Sequence, residues 1–151
     1  MANLLDHILL PVASEEDAIA TAHALEGHDV GTITAIHVIE KAGGAVDKAS
    51  VEQREEEAET IFAALRAELD RPVETDIRYG TDVAETIFAA ASDIDATSVV
   101  ITPRGGSRWI QLLTGDVALS LVTEADRPVV VLPDVEAEDE TERADEEGDD
   151  E

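Results

Sequence analysis

The sequence has no cysteine, only two lysines (Lys41 and Lys48) and no apolar run long enough to span a bilayer. The first absence excludes disulfides and thiolate chemistry. The second belongs to a wider shortage of positive charge: 10 Lys and Arg face 36 Asp and Glu, for a net charge of −26. Nucleic acid and anionic membrane are poor partners for such a chain. The start, Met1 to His7, lacks the basic segment and apolar core of a signal peptide, so a soluble, cytoplasmic protein is expected. Catalytic patterns are missing too. No Ser/His/Asp order, nucleophile elbow or complete P-loop occurs, and the four histidines at 7, 23, 28 and 37 lack the paired spacing of metal ligands. No catalytic residue and no metal site is expected, and His37 reads as a satisfied core histidine.

Alanine and valine dominate the apolar residues that accompany this acid excess. A salt-rich cytoplasm favours that combination, because at about 1 M salt the screening length falls to about 3 Å and the self-repulsion is mostly lost. A halophile's protein is the expectation. With 151 residues the chain supports one domain and one core. Its composition changes after Pro133: residues 134–151 hold twelve acids, one arginine and almost nothing apolar. A domain over 1–133 and a disordered acidic tail over 134–151 are expected.

Along the chain, Ile8-Leu9-Leu10-Pro11-Val12 reads as a buried strand. Ser14 with Asp17 at capping spacing starts a helix that places Ala18, Ile19, Ala22 and Leu25 on one face and stops at Gly27. Residues 33–39 form strand two, and 40–49, with Gly43-Gly44, a mobile loop. Ser50 and Gln53 open a long helix with Val51, Ala58, Ile61, Phe62, Leu65 and Leu69 facing inward, and Pro72 ends it. Its Glu55-Glu56-Glu57 run is a solvated face. Val73 to Tyr79 alternates with Glu74, Asp76 and Arg78 like an edge strand, and Asp82 with Glu85 caps helix three over Val83, Ile87 and Phe88. Strand four spans 98–101, helix four 116–125 and strand five 129–132. Alternating strands and helices predict a doubly wound parallel α/β sheet, Rossmann-like, with ligands at the carboxyl ends of the strands.

Residues 99–118 read as strand, Gly-containing loop and helix start, a geometry that serves equally as an anion cradle or as a plain structural turn. With this stretch the pattern resembles the universal stress protein family over residues 4–133. The features that carry the likeness are residues 8–12, His37-Val38 closing strand two, Gly80 before helix three, and Gly105 followed by Gly115 and then Arg127-Pro128-Val129-Val130-Val131-Leu132-Pro133. The resemblance implies a five-stranded sheet in the order 3-2-1-4-5, flavodoxin-like or adenine nucleotide alpha hydrolase-like, and commonly a dimer. It also implies an ATP motif, Gly-x-x-Gly, nine residues, Gly-Ser/Thr, which this chain keeps in part. Thr102, followed by Pro103, stands at the first glycine, Asp116 at the phosphate-touching Ser/Thr, and Ala13 where nucleotide-binding relatives usually carry an aspartate near the adenosine.

Each departure has a physical cost for a nucleotide. Thr102 before proline is confined to extended backbone, and Pro103 removes a donor. Asp116 caps helix four yet sets a carboxylate where phosphate would rest. Two unit charges about 4 Å apart at an effective dielectric near 20 repel by about 4 kcal/mol. The candidate degraded nucleotide site comprises Pro11, Val12, Ala13, Val38, Thr102, Arg104, Gly105, Gly115, Asp116 and Val117. Arg104 and Arg108 flank the loop as anion binders or as partners of surface acids, and Trp109 anchors or covers it. The expected function is a homodimeric stress-response or regulatory module without tight ATP binding and without a cofactor, acting through an unidentified protein partner. The alternative is an ATP- or AMP-binding sensor, or a slow ATPase, that uses the loop 102–116 through Arg104, Arg108 and a Mg²⁺ held partly by Asp116. In the implied order both strands three and five are edges. Only strand five, Val129, Val130, Val131 and Leu132, lacks charge, so the dimer is expected to pair there.

Overall fold

A computed structural model of the chain describes residues 3–40, 48–102 and 123–132. The elements run β1 (His7–Pro11), α1 (Glu15–Leu25), β2 (Thr32–Glu40), α2 (Lys48–Leu69), β3 (Glu74–Gly80), α3 (Val83–Asp93), β4 (Ser98–Ile101) and β5 (Val129–Val131). The five strands form one sheet in the order β3-β2-β1-β4-β5, and every pairing is parallel. Parallel strands need a crossover, and the same-handed crossovers place helices on both faces.

Strand side chains alternate between those faces. Ile8, Leu10 and Val12 of the β1 segment pack with α1 and α2 residues such as Ala22, Phe62 and Leu65, while Leu9 packs with Ile87, Phe88 and Ala91 of α3. Burial on both sides explains the unbroken apolar run at 8–12, since a one-sided strand would alternate with polar residues. Phe62 is fully buried and contributes about 3 kcal/mol by removal from water.

Helix ends follow the residues that punctuate them. Ser14 Oγ accepts the Asp17 N–H at 3.0 Å, and Asp82 Oδ1 accepts the Glu85 N–H at 3.1 Å. Gly27 (φ +85°), Asp70 (φ +51°) and Asp95 (φ +55°) take the left-handed conformation just beyond α1, α2 and α3. Three boundaries differ from those expected of the sequence. Glu40 is not in a loop; it closes β2, because β3 runs on beside it to Gly80. Ser50 does not open α2, which is already helical at Lys48, so Ser50 lies in its first turn with its cap outside the described residues. Asp70, two residues before Pro72, turns the chain out of α2. Strand β3 is an edge as expected, but Thr75 to Gly80 are all half-buried instead of alternating between wet and dry. Of the expected helix four only residues 123–125 are described, Thr123 helical and Glu124 and Ala125 not; residues 116–122 and the 134–151 tail lie outside the described residues.

Candidate functional site

The chain runs outward in opposite directions from β1 and β4, so the crevice at their carboxyl ends is the topological switch point of the sheet. Pro11 and Val12 are buried there, and the Val12 N–H continues the ladder to Ile36 O at 2.9 Å. Ala13 follows, half-buried, at the turn into α1. Its N–H donates to Asp17 Oδ2 at 2.9 Å while the Asp17 N–H donates to Ser14 Oγ. A carboxylate of α1 thus takes up the N–H just before the N-cap, at the helix end whose dipole attracts negative charge, and Asp17 is 3% exposed.

Val38 lies on β2 beside this turn, and His37 precedes it. His37 Nδ1 sits 2.8 Å from Val12 O. A carbonyl only accepts, so Nδ1 carries the hydrogen, and in the uncharged form of the ring Nε2 is the acceptor. Thr102, one residue past β4, is 3% exposed, and its Oγ1 has no hydrogen-bond partner among the described residues. Where the resemblance expects a glycine, this chain thus holds a buried side chain. Of the remaining sequence candidates, Arg104, Gly105, Arg108, Trp109, Gly115, Asp116 and Val117 lie outside the described residues. Pro11, Val12, Ala13, Val38 and Thr102 do share one end of the sheet.

A cavity of about 560 Å³ opens beside the crevice, within the usual range for small-molecule sites. Ala13 and Ser14 border it after β1 and His37 on β2, Val38, Ile39 and Ile61 supply apolar surface, and Ser50, Gln53, Arg54 and Glu57 of α2 form its polar wall. Arg54 is steered toward the end of β2 by a 3.4 Å contact from its guanidinium to Glu40 O. These α2 residues are not among the candidates the sequence suggests, because a polar run on a long helix reads as solvated. Their positions, 50, 53, 54, 57 and then 61, nevertheless have the spacing of a single helical face, a signal carried by the sequence itself.

Two groups with displaced pKa values, Arg78 and Tyr79, sit on β3, away from this crevice. Arg78 is raised chiefly by its hydrogen bond to Asp93, with Asp76 adding to it, each 2.8 Å away, against an opposing desolvation. Tyr79 is raised by donating to Glu55 at 2.5 Å. Among the described residues no cluster of His, Asp and Glu is placed to hold a metal ion, and no helix is long and apolar enough to cross a membrane.

The model of the universal stress protein family matches residues 5–133. No curated protein matches the chain. Among solved structures, a universal stress protein from Archaeoglobus fulgidus in complex with dAMP is 18% identical, with a TM-score of 0.57, covering 86% of this chain and 99% of that one. UspA from Lactobacillus plantarum is 20% identical, with a TM-score of 0.58, covering 87% and 99%. A universal stress protein in complex with cAMP is 11% identical, with a TM-score of 0.60, covering 86% and 98%.

Proposed function

Because the chain belongs to the universal stress protein family, we propose that it is a homodimeric regulatory binding module of that family, acting through protein contacts, whose crevice does not hold ATP tightly. The observation that carries this reading is the Asp17 carboxylate. It is buried and bonded to the Ala13 N–H, so it occupies the anion-attracting helix end and adds negative charge where a nucleotide would lie. The buried Thr102 side chain supports the same reading, since it replaces the open space of a glycine. Calorimetry with Mg-ATP tests it. No binding tighter than about millimolar, a floor near −4 kcal/mol, is expected, and micromolar binding would overturn it.

A second reading, a nucleotide-binding sensor, draws on the 560 Å³ cavity and on the relatives solved with dAMP and cAMP. Mass spectrometry of the denatured purified protein separates the two readings, because a sensor carries nucleotide through purification.

The dimer contact proposed is the β5 edge. Val131 is 52% exposed and nothing charged interrupts residues 129–131. Leu132 is already buried in the protomer's own core at 7%, which narrows the contact to the three valines. Val130→Lys should elute as monomer in high salt. The net charge of −26 likewise supports a salt-adapted protein, and the expected outcome is a melting temperature that climbs steeply with KCl.

A further inference from the structure

The wall of the 560 Å³ cavity carries opposite charges that do not neutralise each other. Arg54 and Glu57 are three residues apart on α2, neighbours on one helical face that ordinarily pair. Here the Arg54 guanidinium reaches instead toward Glu40 O, and among the described residues Glu57 has neither a hydrogen bond nor an ion pair. The Gln53 amide and the Ser50 hydroxyl beside them are also without partners among the described residues. Opposite them the His37 ring is fixed by Val12 O, with Nε2 left as an acceptor. The cavity therefore offers a cationic donor, an anionic acceptor and a neutral acceptor around apolar Val38, Ile39 and Ile61.

Charge decides which ligand fits. An anion would satisfy Arg54 but meet Glu57 and the buried Asp17 beneath Ala13, in a chain of net charge −26. A simple cation would leave Arg54 unmatched. A molecule bearing both charges engages both groups and, with no net charge, is not repelled by the acid excess. We infer that this cavity binds a zwitterion of the amino-acid class, with its carboxylate on Arg54 and Gln53, its ammonium on Glu57 and His37 Nε2, and an aliphatic side chain over Ile39 and Ile61. The assignment rests on the reading that the crevice has given up tight nucleotide binding, and it names the ligand class of the same site.

Calorimetry on the full chain tests it with each common L-amino acid up to about 10 mM, and separately with Mg-ATP. An aliphatic amino acid should bind one per protomer at about millimolar or tighter, and its N-acetyl form and the corresponding amine should each bind at least about tenfold more weakly. Arg54→Gln and Glu57→Gln, both at exposed positions, should melt like the native protein and each weaken binding about tenfold or more. Silence toward every amino acid would overturn the inference whatever ATP does, as would binding that survives both substitutions. Silence toward amino acids and ATP together would leave the functional reading standing, whereas micromolar ATP binding would overturn that reading on its own.

Discussion

At the amino end of the sheet the polar groups are tied across long stretches of chain, while at the carboxyl end several are left without partners among the described residues. The His7 N–H donates to Thr97 Oγ1 at 3.0 Å, and the Thr97 and Ser98 hydroxyls reach Leu4 O at 2.9 and 2.8 Å. His7 Nε2 lies 3.1 Å from Thr34 Oγ1, which donates in turn to Glu74 at 3.3 Å, a line that joins β1, β2 and β3. Arg71 donates to the carbonyls of Val30 and Gly31. At the opposite end Thr102 Oγ1 is buried without such a partner, and Ser50, Gln53 and Glu57 face a cavity. Buried polar groups cost free energy unless they are bonded. Among the described residues, then, the bonded polar groups gather at the amino end, and the one buried side-chain oxygen without a partner, Thr102 Oγ1, lies at the carboxyl end.

The sharpest way to break the tied end is at Gly31. A Cβ there would lie 2.1 Å from the Asp6 backbone oxygen, whose partner is the Thr32 N–H at the entry to β2. Backbone cannot swing aside as a side chain can, so Gly31→Ala should destabilise the fold by about 3 kcal/mol or more in urea unfolding. A loss below about 1 kcal/mol would mean that the entries of β1 and β2 separate easily.

A matched pair of substitutions then compares the two ends directly. Thr97→Val should cost about 1–3 kcal/mol, because it strands the His7 N–H and weakens the hold on Leu4 O. Thr102→Val removes a hydroxyl that bonds to nothing among the described residues and keeps the volume, so it should stabilise the protein by about 1 kcal/mol. Opposite signs in the two melting curves support the contrast. Destabilisation by both would show that Thr102 is satisfied in solution.

The sheet was legible because its evidence is local. Continuous apolar runs at 8–12 and 99–101 announce strands buried on both faces, and the Ser14/Asp17 and Asp82/Glu85 spacings announce helix starts. The boundaries that moved depend on neighbours: Glu40 remains a strand residue because Gly80 pairs with it. The site was half legible. The strand-end positions Pro11, Val12, Ala13 and Val38 follow from topology. That Asp17 reaches back to Ala13 is a local contact that its capping spacing from Ser14 already suggests, whereas that Ser50, Gln53, Arg54 and Glu57 face β2 across a cavity depends on how α2 lies against the sheet, which no spacing rule specifies.

The smallest effect lies on the opposite flank of α2. Glu55, outside the cavity wall, accepts the Tyr79 hydroxyl at 2.5 Å. An ionised Tyr79 would lose that donor and face a carboxylate, so the bond raises its pKa above the ordinary 10.0. A folded-state pKa above the unfolded one means that the contribution is fully present below about pH 10 and is lost as pH rises through the folded value. The hydroxyl is at the surface, and the stabilisation is correspondingly small and screened by salt. Tyr79 is the only tyrosine, so ultraviolet titration reads it directly. The midpoint should lie above 10.0 in native protein, fall toward it in Glu55→Gln, and fall likewise in molar salt. Because Glu55 does not line the cavity, Glu55→Gln should leave amino-acid binding unchanged while Glu57→Gln, two residues along the same helix, abolishes most of it. If both substitutions act alike on ligand, the helix presents a diffuse acidic field and the division between its faces fails.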